Sequence, residues 1–200
     1  MEALKNPRFW LLAWGGIGAA GLVYLIIAAS VQPQEAAPPS ALKQNPALLV
    51  GEMADFEYAF PPRGAPDIAF DHADGETTLK DFRGKAVLVN FWSTLCLPCI
   101  EELPSLNALQ EKFGEKRFAV VAIAADPSGP DKARAFLARH HIDALDLYTD
   151  QRLIMASAMG ANVLPVSILY DAEGREIGRI IGKADWMSQE AVKLVESALP

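Results

Sequence analysis

The stretch Lys85-Ala-Val-Leu-Val-Asn-Phe-Trp-Ser-Thr-Leu-Cys-Leu-Pro-Cys-Ile-Glu-Glu-Leu-Pro104 decides how the chain reads. Its first eight residues are almost all apolar, as in a strand covered on both faces. From Ile100 to about Phe113 a mostly helical pattern follows, and Pro104 inside it is expected to remove a backbone bond and kink the helix. Cys96 and Cys99, the only two cysteines of the chain, stand at the junction. A C-x-x-C pair in that place is a redox dithiol. The first cysteine sits at the helix N-terminus, where unpaired N–H groups and the positive dipole end favour a thiolate. The second lies one turn inside, within reach of a mixed disulfide on the first. Cys96 is therefore the expected nucleophile and Cys99 the expected resolving thiol.

A structural zinc site needs about four ligands, and beside the pair the chain offers only three scattered histidines. No metal site is expected, although a Cu(I) site built on the two thiolates stays open as an alternative. A purely structural disulfide between such near neighbours would close a very small loop and stabilise little.

Outward toward the N-terminus, Phe9 to Ala29 carries no charge and is rich in Leu, Ile, Val, Gly, Ala and Trp. As a helix it is long enough to span about 30 Å of hydrocarbon. Lys5 and Arg8 precede it, and one acid and no base follow in Gln32–Ser40. That asymmetry predicts a cytoplasmic tip and an exported body. The alternative is a signal peptide cleaved at Ala28-Ala29-Ser30, but the apolar stretch exceeds the usual signal core of ~7–15 residues. Exported thiols meet an oxidising environment, so the pair can cycle only if something reduces it. The expected organisation is a tip and transmembrane anchor over 1–30, a Pro/Ala-rich linker over 31–45 and a periplasmic domain over 46–200.

The net charge is −7. Lys5 and Arg8 against Glu2 make residues 1–30 positive by one, which leaves −8 for the rest. An acidic body argues against nucleic acid as a partner.

Within the domain, 46–66 reads as an arm lying on its surface. Ile68–Phe70 and Thr77–Leu79 flank Asp74-Gly75, a hairpin signal. Phe118–Ala124 reads as a second buried strand and Asp131–His140 as a helix. Leu145–Tyr148 reads as a short strand and Arg152–Met159 as a short helix. Val166–Tyr170 and Arg175–Ile181 form a hairpin, and Ser188 caps a final amphipathic helix to Leu199. The order predicts a mixed-sheet α/β domain. His140 and His141 suit a helix C-terminus, His72 a hairpin surface, and Met155, Met159 and Trp186 the core.

The run from Asp81 to Pro104, with Leu164-Pro-Val-Ser-Ile-Leu-Tyr-Asp-Ala-Glu-Gly174 and Ala184-Asp-Trp186, resembles the membrane-anchored TlpA, ResA and DsbE (CcmG) group of bacterial thiol–disulfide oxidoreductases, and TlpA most of all. The resemblance spans roughly residues 50–200. It implies a thioredoxin fold with an N-terminal β-hairpin and a central inserted β-strand and helix, preceded by one transmembrane helix. Pro165 matches the group's cis-proline, beside which the backbone of Leu164 would pair with an extended substrate. Glu102 matches an acid that handles a proton for Cys99, one helical turn away. Asn90 stands where classical thioredoxins carry a buried aspartate, Leu95 where the group usually has tryptophan, and Val166 where threonine is common. Substrate contact is expected at Trp92, Leu95, Leu164 and Pro165.

The implied activity is protein-disulfide reduction with no cofactor beyond the Cys96–Cys99 pair. Implied substrates are apocytochrome c, a Sco-type copper chaperone or the copper-site subunit of cytochrome oxidase. The implied electron donor is a CcdA- or DsbD-type membrane thiol reductase. A disulfide-donating oxidase and a Cu(I)-binding chaperone are the alternatives.

Overall fold

The fold is described from a computed structural model covering residues 44–114, 116–127 and 129–200. The expected span Phe9–Ala29 and nearly all of the 31–45 linker lie outside the described residues. Among the described residues no helix is long and apolar enough to cross a membrane.

The strands in chain order are β1 (Glu57–Tyr58), β2 (Phe70–His72), β3 (Gly75–Thr77), β4 (Ala86–Trp92), β5 (Phe118–Ala124), β6 (Tyr148–Thr149), β7 (Val166–Tyr170) and β8 (Glu176–Ile181). The helices are α1 (Leu97–Phe113), α2 (Pro130–Arg139), α3 (Ile154–Ala158) and α4 (Gln189–Ala198). The strands form one sheet in the order β1-β8-β7-β4-β5-β6-β2-β3. The succession β4-α1-β5-α2-β7-β8-α4 is the thioredoxin-like core. β6 and α3 are inserted between α2 and β7, and the β2–β3 hairpin comes before the core, as the resemblance implied.

Every residue of β4 and β5 is buried. β4 runs parallel to β5 from Ala86↔Phe118 to Trp92↔Ala124. On its other side it runs antiparallel to β7. Strands hydrogen-bonded on both edges and covered on both faces need apolar side chains pointing both ways, which is why these runs show no alternation. Helix α1 begins at Leu97, earlier than the pattern predicted. Pro98 falls in its first turn, where the absent N–H would have no helical partner anyway, and Pro104 lies inside without ending the helix. Helix α4 starts as expected, with the Ala191 N–H donating to Ser188 Oγ at 3.3 Å.

Two elements differ from expectation. The N-terminal arm contributes a strand, β1, on the sheet edge, and buries Met53 and Phe56 in the core. It is held to the end of the domain by two bonds: the Glu52 N–H donates to Glu190 Oε1 (2.9 Å), and the Asp185 N–H donates to Glu52 Oε2 (3.0 Å). The β2–β3 hairpin is tighter than predicted. His72 pairs with Gly75, so the two-residue loop is Ala73-Asp74 and Gly75 opens the second strand at φ 126°. Pairing of Asp71 and His72 with β6 draws the strand toward its turn, and His72 stacks on Tyr148 with centroids 4.9 Å apart.

Gly178 sets the approach of β1. A Cβ there would lie 2.4 Å from the Glu57 carbonyl oxygen and 2.5 Å from the Phe56 ring. Backbone cannot yield as a flexible side chain can. Gly178→Ala is expected to destabilise the fold by about 1–3 kcal/mol in urea unfolding, whereas Gly64→Ala, with nothing near its Cβ, should stay within about 0.5 kcal/mol. Equal midpoints for the two variants would refute this account of the edge.

Candidate active site

The chain leaves β4 at Trp92 and enters α1 at Leu97 through a loop fastened at each step. The Thr94 N–H donates to Asp126 Oδ2 at 3.1 Å, and the Thr94 hydroxyl also donates to that carboxylate. The Leu95 N–H reaches Ser93 Oγ at 3.3 Å, and the Cys96 N–H reaches the Ser93 carbonyl at 3.1 Å. Asp126 is buried just beyond the end of β5, the parallel neighbour of β4. Sequence reasoning missed it. The available signal was an acid two residues after an apolar run, at the strand ends where parallel sheets collect functional groups.

Cys96 is the N-cap of α1, in an extended conformation, and accepts the Cys99 N–H on its Sγ at 3.3 Å. A sulfur in this place takes up one of the helix's unpaired donors, and the same donor stabilises negative charge on it. The two cysteines are joined as a disulfide. Cys96 is half-buried and Cys99 is 1 % exposed, so an incoming thiol or disulfide reaches Cys96 first.

Glu102 stands one turn after Cys99 and is 2 % exposed. Its Oε1 accepts the Trp186 indole N–H at 2.5 Å and the Ser167 hydroxyl at 3.4 Å. Ser167 Oγ in turn accepts from Asn90 Nδ2 at 2.9 Å. The other carboxyl oxygen, Oε2, has no hydrogen-bond partner among the described residues. Burial pushes the Glu102 carboxyl up to about 7, against the pull of these hydrogen bonds, Trp186 first. Trp186, expected as core packing, is indeed fully buried, but it is also the principal partner of the buried acid one turn after Cys99.

Phe91 pairs with Val166, so Pro165 falls opposite the end of β4, at the edge of the cysteine loop. The Leu164–Pro165 peptide bond is cis, as the resemblance implied. Among the described residues the backbone of Leu164 makes no hydrogen bond, while the Pro165 carbonyl accepts the Gly182 N–H at 2.9 Å. Leu95, 80 % exposed, and Leu97, also exposed, flank Cys96 in the chain and give the sulfur an apolar rim; Val163, just before Leu164, is exposed as well. Trp92 does not join that rim. It is buried and packs on Phe136 with centroids 5.7 Å apart, beneath the loop. Val166 is buried in the sheet, so its departure from threonine changes the core rather than the exposed surface. Met155 and Met159 are core residues.

A half-exposed cysteine capping a helix, with a buried partner one turn inside and a cis-proline across the sheet, defines a thiol–disulfide exchange site on a thioredoxin-like scaffold. Residues 63–195 match the Redoxin family. Over 137 residues the chain is 32% identical to the thiol-disulfide oxidoreductase ResA of Bacillus thuringiensis (strain Al Hakam), covering 68% of this chain and 78% of that one. A 60-residue stretch is 45% identical to the thioredoxin-like protein YneN of Bacillus subtilis, covering 30% of this chain and 35% of that protein. A crystal structure of a Chlorobium tepidum protein assigned as thiol:disulfide interchange protein DsbE superposes with a TM-score of 0.62 at 28% identity, covering 68% of this chain and 96% of that one. The chain belongs to the Redoxin family, in its TlpA/ResA/DsbE-type group. It is a thiol–disulfide oxidoreductase whose redox group is the Cys96–Cys99 pair.

Folded Glu102 keeps its proton up to about pH 7, whereas the ordinary carboxyl loses it near 4.5. Folding therefore takes up a proton between those values, and stability falls as pH rises through the window, by about 3 kcal/mol across its full width. Urea unfolding of the oxidised protein at pH 5 and pH 8 is expected to show this fall in the wild type and to lose most of it in Glu102→Gln. The same fall in both proteins would show that Glu102 is not its source.

Proposed function

We propose that this oxidoreductase works as a reductant of cysteine pairs in exported proteins, held at the outer face of a bacterial inner membrane. The tip and span over 1–30 and the linker over 31–45 would tether the domain of 46–200 in the periplasm. The observation that carries the exchange chemistry is the Cys96 sulfur at the helix N-terminus with Cys99 buried behind it.

The cycle follows from that arrangement. Cys96 thiolate attacks one sulfur of the substrate disulfide, forms a mixed disulfide and expels the other substrate sulfur as a thiolate. Cys99 then loses its proton and attacks Cys96 Sγ, which closes the Cys96–Cys99 disulfide and expels the second substrate thiolate. Two electrons pass to the substrate, and its thiolates take up protons. Glu102, one helical turn from Cys99, would accept the Cys99 proton. Leu164 offers free backbone groups to an extended substrate segment beside Pro165, and Leu95 offers an apolar contact. A membrane thiol reductase of the CcdA or DsbD type would restore the dithiol.

Support for the reducing direction comes from Glu102. A buried carboxylate one turn from Cys99 opposes a second negative charge there, which disfavours the dithiol's thiolate form and favours the reducing role. The likeness of the C-terminal stretch to TlpA points to the copper-site cysteines of cytochrome oxidase or its Sco-type chaperone, with apocytochrome c as the other substrate. One observation favours a second reading. The Cys99 N–H on Cys96 Sγ stabilises the thiolate, and a stabilised reduced form is what makes a disulfide donor.

The reduction potential of the full-length protein decides between them. A value near or below about −270 mV is expected for the reductant, and one near −120 mV would make it a disulfide donor. Cys96→Ser should abolish disulfide reduction, and a variant that retained full activity would remove Cys96 from the cycle.

A further inference from the structure

Indole N–H is a donor with no acceptor capacity. Trp186 therefore makes its 2.5 Å bond to Glu102 Oε1 only while that oxygen presents a lone pair. Ser167 adds to the same restriction. Its Oγ accepts from Asn90 Nδ2, which leaves its own hydrogen to point toward Glu102 Oε1. Two donors from two different elements thus converge on one carboxyl oxygen; among the described residues none lies within hydrogen-bonding geometry of the other, Oε2, and the Asn90 side chain and Ala184 backbone add only weaker pulls on the carboxyl. Trp186 is itself fixed at its backbone: its N–H donates to Ser105 Oγ at 3.1 Å, and the Ser105 hydroxyl donates to the Glu102 carbonyl at 2.8 Å. The indole is pinned to the same turn of α1 that carries the acid.

We propose that Trp186 is a positioning residue of the exchange reaction: its indole N–H, with the Ser167 hydroxyl, holds Oε1 as an acceptor and so assigns the exchangeable proton of Glu102 to Oε2. The inference rests on Glu102 handling the Cys99 proton in the cycle above. When Cys99 gives up its proton, the vacant position on ionised Glu102 is Oε2, and the new O–H forms there while both donors stay in place. When Glu102 releases the proton, the charge left on the carboxylate is met by donors already aimed at it. Trp186 thereby lowers the pH at which the acid changes state, against the larger upward push of burial.

The other charged groups around Glu102 are largely matched. Glu101, the preceding residue on α1, is paired with Lys183 from the segment after β8. Glu52 from the arm accepts the Asp185 N–H, and Asp185 Oδ1 accepts the Met187 N–H. With Glu102, the residues Glu52, Glu101, Lys183 and Asp185 line one cleft. β4 and β7 present only the neutral Asn90 and Ser167, and the oxidised Cys96–Cys99 pair does not titrate.

Two measurements on the full-length protein test this. In an NMR titration of the oxidised, 15N-labelled wild type from pH 5 to 9, the Trp186 indole resonance is expected to move through a single midpoint. In Glu102→Gln it should stay still. In a pH profile of reaction between the reduced protein and a small aromatic disulfide, Trp186→Phe is expected to move the Glu102-dependent midpoint to higher pH by roughly one unit, because the carboxylate loses a charge-assisted hydrogen bond. The displacement should vanish when Trp186→Phe is made in a Glu102→Gln background. An indole that does not titrate, or a displacement that persists without Glu102, overturns the role of Trp186. A profile that Glu102→Gln leaves unchanged removes Glu102 from the cycle, and this role for Trp186 with it. The wild-type titration needs no variant to fold.

Discussion

Strand β4 is hydrogen-bonded to a neighbour on each side and covered on both faces, so it cannot slide, tilt or fray at its end. Everything at the active site inherits its position from that fixed exit. Four residues after Trp92 the chain must already be capping a helix, and it has one loop in which to do so. Asp126 anchors that loop from the next strand, and Ser93 folds it back on itself. The Cys96 sulfur is consequently presented by a rigid sheet, not by a surface loop free to wander. Preorganisation of this kind lets a modest local field at a helix end act on a single sulfur.

A buried carboxyl is costly to keep, and Glu102 is tolerated because four segments meet around it. Asn90 comes from β4, Ser167 from β7, Trp186 from the segment before α4, and the acid itself from α1. Each contributes one polar group to a small network inside an otherwise apolar core. Such a network ties its members to one arrangement, since any of them moved away leaves a buried group unpartnered. The central strand contributes the neutral Asn90 to this network, and the acid lies on the helix that carries the cysteines.

Local signals in the sequence carried the centre of the fold well. The apolar run of β4, the cysteine spacing, the Asp171–Gly174 turn and the Ser188 cap each announce their element within a few residues. Legibility failed wherever distant parts of the chain decide. Trp186 lies 84 residues from Glu102, and nothing near Trp186 says that its indole has an acid to meet. β1 has two residues and shows no periodicity; its place is fixed by the absence of a side chain at Gly178. The β2–β3 register depends on β6, almost eighty residues onward. Trp92 ends a strand whose two faces are equally apolar, so the pattern could not tell an inward ring from an outward one. Glu102 fell between these cases: helical spacing placed it near Cys99, but its burial and its donors came from elsewhere.

The sheet is long in the middle and very short at both rims. β1 has two residues, and β3, at the far edge, has three. The strands that would template aggregation, β4 and β5, are the ones sealed inside. Edges this brief offer another sheet few unpaired groups to add to. The chain therefore leaves little unpaired backbone at its rims, while among the described residues the Leu164 backbone, beside Pro165, makes no hydrogen bond. A thiol–disulfide oxidoreductase can thus meet other polypeptides without its own sheet growing by accretion.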